Sequence, residues 1–269
     1  MFTTHSLRQL SHYQDLKQVA ENCIKTNRTA VIFGPPRSGG SILGQWLTQN
    51  VTLGNEKIAS LYYQIGSDGG YEAVFRGVVS RLTDEKLVLK DRDSVAQMLV
   101  KALIKEQCRL LYFDEAERAS AEALRELFRL QDLAARSDHP FGIVLFAHRQ
   151  PQDWLGVAEL QHGKVRYHRV IPQLRAPEIT SILQSWCPSL TGLTGRFDRN
   201  DRSVRSGVLQ IEANGGNRIG VLEDFAGMIK GTFAGNSFGP QLVEAILHHT
   251  DSPVKGLPER IEQLELGLG

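Results

Sequence analysis

TAVIFGPPRSGGS, residues 29–41, decides the fold. An apolar run from Ala30 to Phe33 stops at Gly34 and two prolines, which is how a buried strand ends at a loop. Beyond the loop, Ile42, Leu43, Trp46 and Leu47 recur at helical spacing, so the order is strand, glycine-rich loop, helix. The loop itself, Gly34-Pro35-Pro36-Arg37-Ser38-Gly39-Gly40-Ser41, fits the phosphate-binding pattern G-x-x-x-x-G-K-[ST] at every defined position except the lysine, which is Gly40.

In a complete loop, backbone N–H groups cradle the phosphates, the lysine meets the β- and γ-phosphates, and the hydroxyl holds Mg²⁺. Gly40 removes the point charge and keeps the rest. A helix N-terminus still offers unpaired donors and partial positive charge, and Ser41 still reaches a metal. Loss of the charge that follows the transferred phosphoryl weakens the transition state more than the ground state, so binding survives while turnover falls. Arg37 is a candidate partial substitute. A tight strand-to-helix turn without a ligand would use Gly34 and Gly39 in the same way.

Outward from the loop, strands are expected at Ile58–Ile65, Arg109–Phe113, Gly142–Ala147 and Arg166–Ile171. Helices are expected at 16–25, 69–82, 94–107 and 121–136. Alternation of this kind implies crossover connections and a five-stranded parallel sheet between helices, an α/β architecture. Past Pro172 no strand pattern appears, and helices are expected at 178–186, 203–213, 218–230 and 241–248. The sequence therefore divides into an N-terminal helical segment (1–28), an α/β core (29–174) and a small helical lid with a tail (175–269).

Three further signals belong to the same chemistry. Leu110-Leu111-Tyr112-Phe113-Asp114-Glu115 is an apolar strand ending in two carboxylates, which suits Asp114 to Mg²⁺ and Glu115 to the role of general base toward water. An acidic helix cap would look alike. His148, at the end of the Gly142–Ala147 strand, either orients water or is a plain loop histidine. Arg218, after Asn214-Gly215-Gly216-Asn217, opens an apolar helix from which a guanidinium can reach a phosphate, or else it is a solvated residue beside a cap.

Composition narrows the class. Hydrophobic residues are 41% and charged residues 23% of the chain, which is ordinary for a globular protein. Thirty-one basic against thirty acidic residues leave a formal charge of +1, so global charge does not advertise nucleic-acid binding. Cys23, Cys108 and Cys187 are too dispersed for a disulfide framework or a metal site. With neither a signal-peptide core nor an apolar run of membrane length in sight, a cytoplasmic protein without a membrane partner is expected.

Taken together, GPPRSGGS, YFDEAERAS, FGIVLFAHR, YHRVIPQLRAPEITSILQSW and NGGNRIGVLEDF resemble the TniB/TnsC/MuB group of AAA+ ATPases that serve DNA transposition, over about Ala30 to Lys230. The resemblance implies ATP and Mg²⁺ as cofactors, a homo-oligomer on duplex DNA, and a transposase and a target-selection protein as partners. It carries Gly34, Pro35, Arg37, Ser38, Gly39, Gly40 and Ser41 onto the phosphate loop, Asp114 and Glu115 onto the acidic strand, His148 onto the first sensor and Arg218 onto the second. It also makes Arg166 or Arg169 the arginine that reaches a neighbour's nucleotide. Gly40 departs from the group, whose members usually keep lysine there, which points to weak or absent hydrolysis. An active ATPase of the same fold and a nucleotide-free scaffold are the open alternatives. Arg76, Arg81, Lys101 and Lys105 are the candidate contacts to a DNA backbone, where a merely solvated helix face would look the same.

Overall fold

The computed structural model describes residues 10–83, 92–156, 163–192, 197, 200–213 and 218–248. The stretch 214–217 singled out above, and the tail beyond His248, lie outside the described residues. Two compact units are present: one holds Ser11–Pro36 and Gly40–Ile171, the other Arg37–Gly39 together with the chain from Pro172 onward.

The first unit begins with helix α1 (Ser11–Thr26) and strand β1 (Thr29–Phe33), followed by α2 (Gly40–Asn50). A small hairpin of β2 (Thr52–Leu53) and β3 (Glu56–Lys57) intervenes before β4 (Ala59–Gln64). Helices α3 (Tyr71–Leu82) and α4 (Arg92–Lys105) precede β5 (Cys108–Asp114). Then come α5 (Ala121–Arg136), β6 (Gly142–Ala147) and β7 (Val165–Val170). The main sheet runs β4-β5-β6-β1-β7, and every neighbouring pair in it is parallel. The expected five-stranded parallel α/β sheet is therefore the observed one. The two-residue strands of the hairpin were not expected, since a stretch that short has no periodicity to read.

Burial follows the sheet order. All of β6 is buried, and so is nearly all of β1 and β5, which is why these three read as continuous apolar runs. The edge strands β4 and β7 are largely half-buried or exposed. One face carries α3, α4 and α5, whose Phe75, Val78, Leu99, Leu103, Leu127 and Leu130 pack with Leu111, Phe113, Ile143 and Leu145 of the sheet. Helix α5 starts where it does because the Ser120 hydroxyl accepts the Ala123 N–H at 3.1 Å, an N-cap that satisfies one orphan donor.

A buried amide ties the layers together. Gln131, on α5 and fully enclosed, accepts from the Thr29 hydroxyl at 3.1 Å and donates to the carbonyls of Arg28 and Phe141 at 3.1 and 3.2 Å. Its own carbonyl takes the Asn27 amide at 3.1 Å. A polar group enclosed this way is tolerable only when its bonds are made, and here they fasten the entry of β1 to that of β6.

Beyond Pro172 the regular elements among the described residues of the second unit are all helices: α6 (Ala176–Trp186), α7 (Arg202–Ala213), α8 (Ile219–Lys230) and α9 (Pro240–His248). Pro177 stands in the first turn of α6, where no N–H is missed, and the Glu178 carboxylate accepts the Arg175 N–H at 2.9 Å. Ile182, Trp186, Val208, Leu222, Phe225 and Val243 are among its buried side chains.

His139 gives the first unit a pH-sensitive seam. Its Nε2 lies 3.0 Å from the Cys108 carbonyl, and burial lowers its pKa from the ordinary 6.5 against a weaker opposing effect of that carbonyl. Below about pH 6.5 the unfolded chain then binds a proton that the folded chain resists, so stability falls with acidification until the lowered native value is passed. Urea unfolding between pH 7.5 and 5 is expected to show His139→Gln less pH-dependent than the native chain; equal slopes would dismiss His139 as the cause.

Candidate functional site

The parallel sheet ends β1, β4, β5 and β6 on one edge, and the polar residues at those ends meet there. Asp114 closes β5 and is 1% exposed. Its Oδ2 accepts two short hydrogen bonds, from the Ser41 hydroxyl and from the Tyr62 hydroxyl, both at 2.6 Å. Its Oδ1 accepts the Glu115 N–H at 2.9 Å. A buried carboxylate is costly without partners, and this one has three.

Tyr62 was not a candidate from sequence. It reaches Asp114 because β4 pairs with β5 so that Tyr62 sits opposite Tyr112 and Gln64 opposite Asp114. The rings of Tyr62 and Tyr112 stack, with centroids 5.7 Å apart at 21°, and the Tyr112 hydroxyl donates to the Gly40 carbonyl at 2.9 Å. Burial, then the bond and charge of Asp114, push the Tyr62 phenol up, so it stays a donor. The one sequence signal was the tyrosine pair in LYYQ, which the alternation of a strand splits between opposite faces.

Glu115 stands just past Asp114 in the left-handed region, φ 56° and ψ 41°. Its Oε1 accepts the Gln64 amide at 2.8 Å, and its Oε2 lies 2.7 Å from the Arg118 guanidinium. The carboxylate expected to act on water is thus held by two neighbours, neither of them a candidate before. His148 follows β6; its Nδ1 lies 3.2 Å from the Gly34 carbonyl and its N–H donates to Glu117 at 3.2 Å. It is therefore packed beside the first residue of the phosphate loop.

The loop divides between the two units. Gly34 continues the ladder of β1, its N–H donating to the Ala147 carbonyl at 3.1 Å. Within the second unit, Arg37 (φ 69°) forms an ion pair with Asp224 and donates to the Gly220 carbonyl at 3.1 Å. Gly220 N–H in turn donates to the Arg37 carbonyl at 2.9 Å. The candidate substitute for the lysine is thereby engaged by α8. Gly39 has φ 97°, a conformation that favours glycine. Arg218, just before α8, is 6% exposed, and burial lowers its guanidinium pKa.

Whether ATP and Mg²⁺ suit these residues follows from their chemistry. Ser41 and Asp114 supply a hydroxyl and a carboxylate that share one point, the hard oxygen ligands magnesium takes. Among the described residues no cluster of three His, Cys, Asp or Glu side chains could hold a metal alone. The amides of the first turn of α2 have no intrahelical acceptor by geometry, and the Ser38 hydroxyl is buried with no hydrogen-bond partner among the described residues. The helix amides fit an anion.

The remaining candidates are more exposed. Arg166 and Arg169 lie on the edge strand β7, both exposed, with Arg169 donating to the His168 carbonyl at 2.8 Å. Of the four basic residues considered for DNA, Lys101 and Lys105 are exposed on α4 and Arg76 lies 3.9 Å from Glu72. Arg81 is engaged, donating to the Tyr62 carbonyl at 3.3 Å and covering the Tyr63 ring at 5.5 Å. Among the described residues no helix is long and apolar enough to cross a membrane.

Residues 23–155 match the AAA domain family. No curated protein matches the sequence. Among solved structures, the fold is similar to the ADP form of the Aeropyrum pernix ORC2 protein, at 16% identity and a TM-score of 0.60 over 87% of this chain and 66% of that one. It is also similar to Cdc6p from Pyrobaculum aerophilum, at 15% identity and a TM-score of 0.51 over 78% of this chain and 65% of that one. For a Thermotoga maritima RuvB variant the figures are 13% and 0.54, over 93% of this chain and 72% of that one. The chain thus spans about two thirds of the length of the first two. The matched segment, the strand order and these likenesses together identify an α/β fold of the AAA+ P-loop type.

Proposed function

We propose that the chain is a nucleotide-binding regulator of DNA transposition that assembles on target DNA, recruits a transposase and hydrolyses ATP weakly or not at all. The observation that carries the nucleotide half is the meeting of Ser41 and Asp114 on one carboxylate oxygen, 2.6 Å apart, under the N-terminus of α2. A hydroxyl and a carboxylate held together in this way are the pair of hard oxygen ligands a magnesium ion takes. The DNA half rests on the sequence resemblance to the transposition group. The exposed Lys101 and Lys105 suit phosphate contacts, and the exposed arginines of β7 suit a neighbouring subunit's nucleotide.

Charge decides the form of the ligand. Asp114, Glu115 and Glu117 crowd the end of β5, Arg37 is committed to Asp224, and the lysine is Gly40. A bare triphosphate would face carboxylates with little positive charge to offset them, so the magnesium complex is the species the site accommodates. Millimolar Mg-ATP is expected to raise the melting temperature by a few degrees, and EDTA to abolish the shift. A flat response to Mg-ATP would end the nucleotide reading.

Tyr62 holds the metal's carboxylate in place. Tyr62→Phe deletes one bond to a charged acceptor and is expected to cost about 1–2 kcal/mol in urea unfolding. A cost below about 0.3 kcal/mol would show that bond to be dispensable.

An active ATPase is the second reading, favoured by Glu115 and its two holding partners, Gln64 and Arg118. Phosphate release that disappears in Glu115→Gln would establish it, whereas equal background in both proteins leaves the weak-hydrolysis reading standing. Light scattering and filter binding with ATP and duplex DNA test the assembly: a protein that stays monomeric and unbound is not a transposition regulator of this kind.

A further inference from the structure

Gly40 is helical and its φ is not positive, so its backbone conformation does not demand glycine. Its surroundings do. A Cβ built on Gly40 would lie 2.0 Å from Cε1 of Phe146 and 2.3 Å from both Cδ1 and Cζ. Carbon atoms in contact stand roughly 3.5–4.0 Å apart, so the ring occupies the first atom of any side chain at this position. Phe146 is fully buried on the central strand β6, and the ring of His148 closes one flank, edge-on at 5.2 Å and 89°.

The start of α2 is held close against the sheet. The Tyr112 hydroxyl holds the Gly40 carbonyl, and one turn on, a Cβ at Gly44 would meet Tyr112 Cε1 at 2.4 Å and Tyr62 Cδ2 at 2.7 Å. Two glycines four residues apart thus seat the start of α2 directly on aromatic rings of β4, β5 and β6. A lysine at residue 40 would need the ring to vacate a fully enclosed place.

We propose that Phe146 fills the place of the lysine side chain and is the residue that fixes this phosphate loop in its lysine-free form. The pair Gly40 and Phe146 then acts as one determinant of how the loop handles a nucleotide, and restoring the lysine alone does not restore its function. The claim deepens the nucleotide reading above, but its packing half is independent of any ligand.

The test is a double-mutant cycle read first by thermal melting without nucleotide. In an open helix Gly→Ala stabilises. Here Gly40→Ala is expected to lower the melting temperature by about 5 °C or more, or to prevent folding, through overpacking. In a Phe146→Ala background the same change is expected to be neutral or stabilising, or to recover the fold. Gly40→Ala that leaves the native chain as stable or more stable overturns the proposal, and so does a loss that Phe146→Ala does not relieve. The second measurement is phosphate release from Mg-ATP. Gly40→Lys combined with Phe146→Ala is expected to exceed both the native chain and Gly40→Lys alone by about tenfold or more. Equal background in all three would overturn the functional half of the proposal. If the native chain binds no Mg-ATP at all, the nucleotide reading falls separately, while the sign of the stability cycle still decides the packing claim.

Discussion

A carboxylate almost wholly removed from water is the constraint around which the sheet edge is arranged. Asp114 has to be satisfied where it stands, because an ionised group in a poor dielectric without donors costs several kcal/mol. Three donors from different parts of the chain meet that demand: Ser41 from α2, Tyr62 from the neighbouring strand and the amide of Glu115. Each needs its own element in register. The pairing of β4 with β5 and the approach of α2 to the sheet are therefore tied to a single acid.

The aromatic layer beneath serves the same end. Tyr62 stacks on Tyr112, and Tyr112 spends its hydroxyl on the Gly40 carbonyl, so one pair of rings fixes both the donor to Asp114 and the place of Gly40 on the sheet. Backbone geometry then sorts the adjacent glycines into different jobs. Gly39 turns the chain through a left-handed conformation, whereas Gly40 yields space to a ring. A sequence pattern that scores both as glycine cannot separate these reasons.

Much of the fold was legible because burial writes itself into composition. AVIF, LLYF and GIVLFA are strands buried along nearly their whole length, and the helix expected at 121–136 has the observed ends. Ser41 and Asp114 were legible as a pair because a loop motif and a strand end each carry their own signal. Tyr62, Gln64 and Phe146 were not. Their importance depends on strand register and on which face a side chain takes, and neither is set by local residue type. Arg37 shows the same limit from the other side. A free cation in a phosphate loop reads as a ligand for phosphate, yet its partner Asp224 lies far along the chain and claims it.

The edge strand β7 adds a different kind of constraint. An open strand presents unpaired backbone groups, and charged side chains are one means of keeping such an edge from pairing indiscriminately. Arg166 and Arg169 meet that need by being exposed and cationic, whatever else they do. The same properties are those a contact with phosphate would draw on. What separates the two roles is specificity of shape: protection asks only for charge, and lysine would serve, whereas a bidentate contact with phosphate asks for the planar fork of arginine.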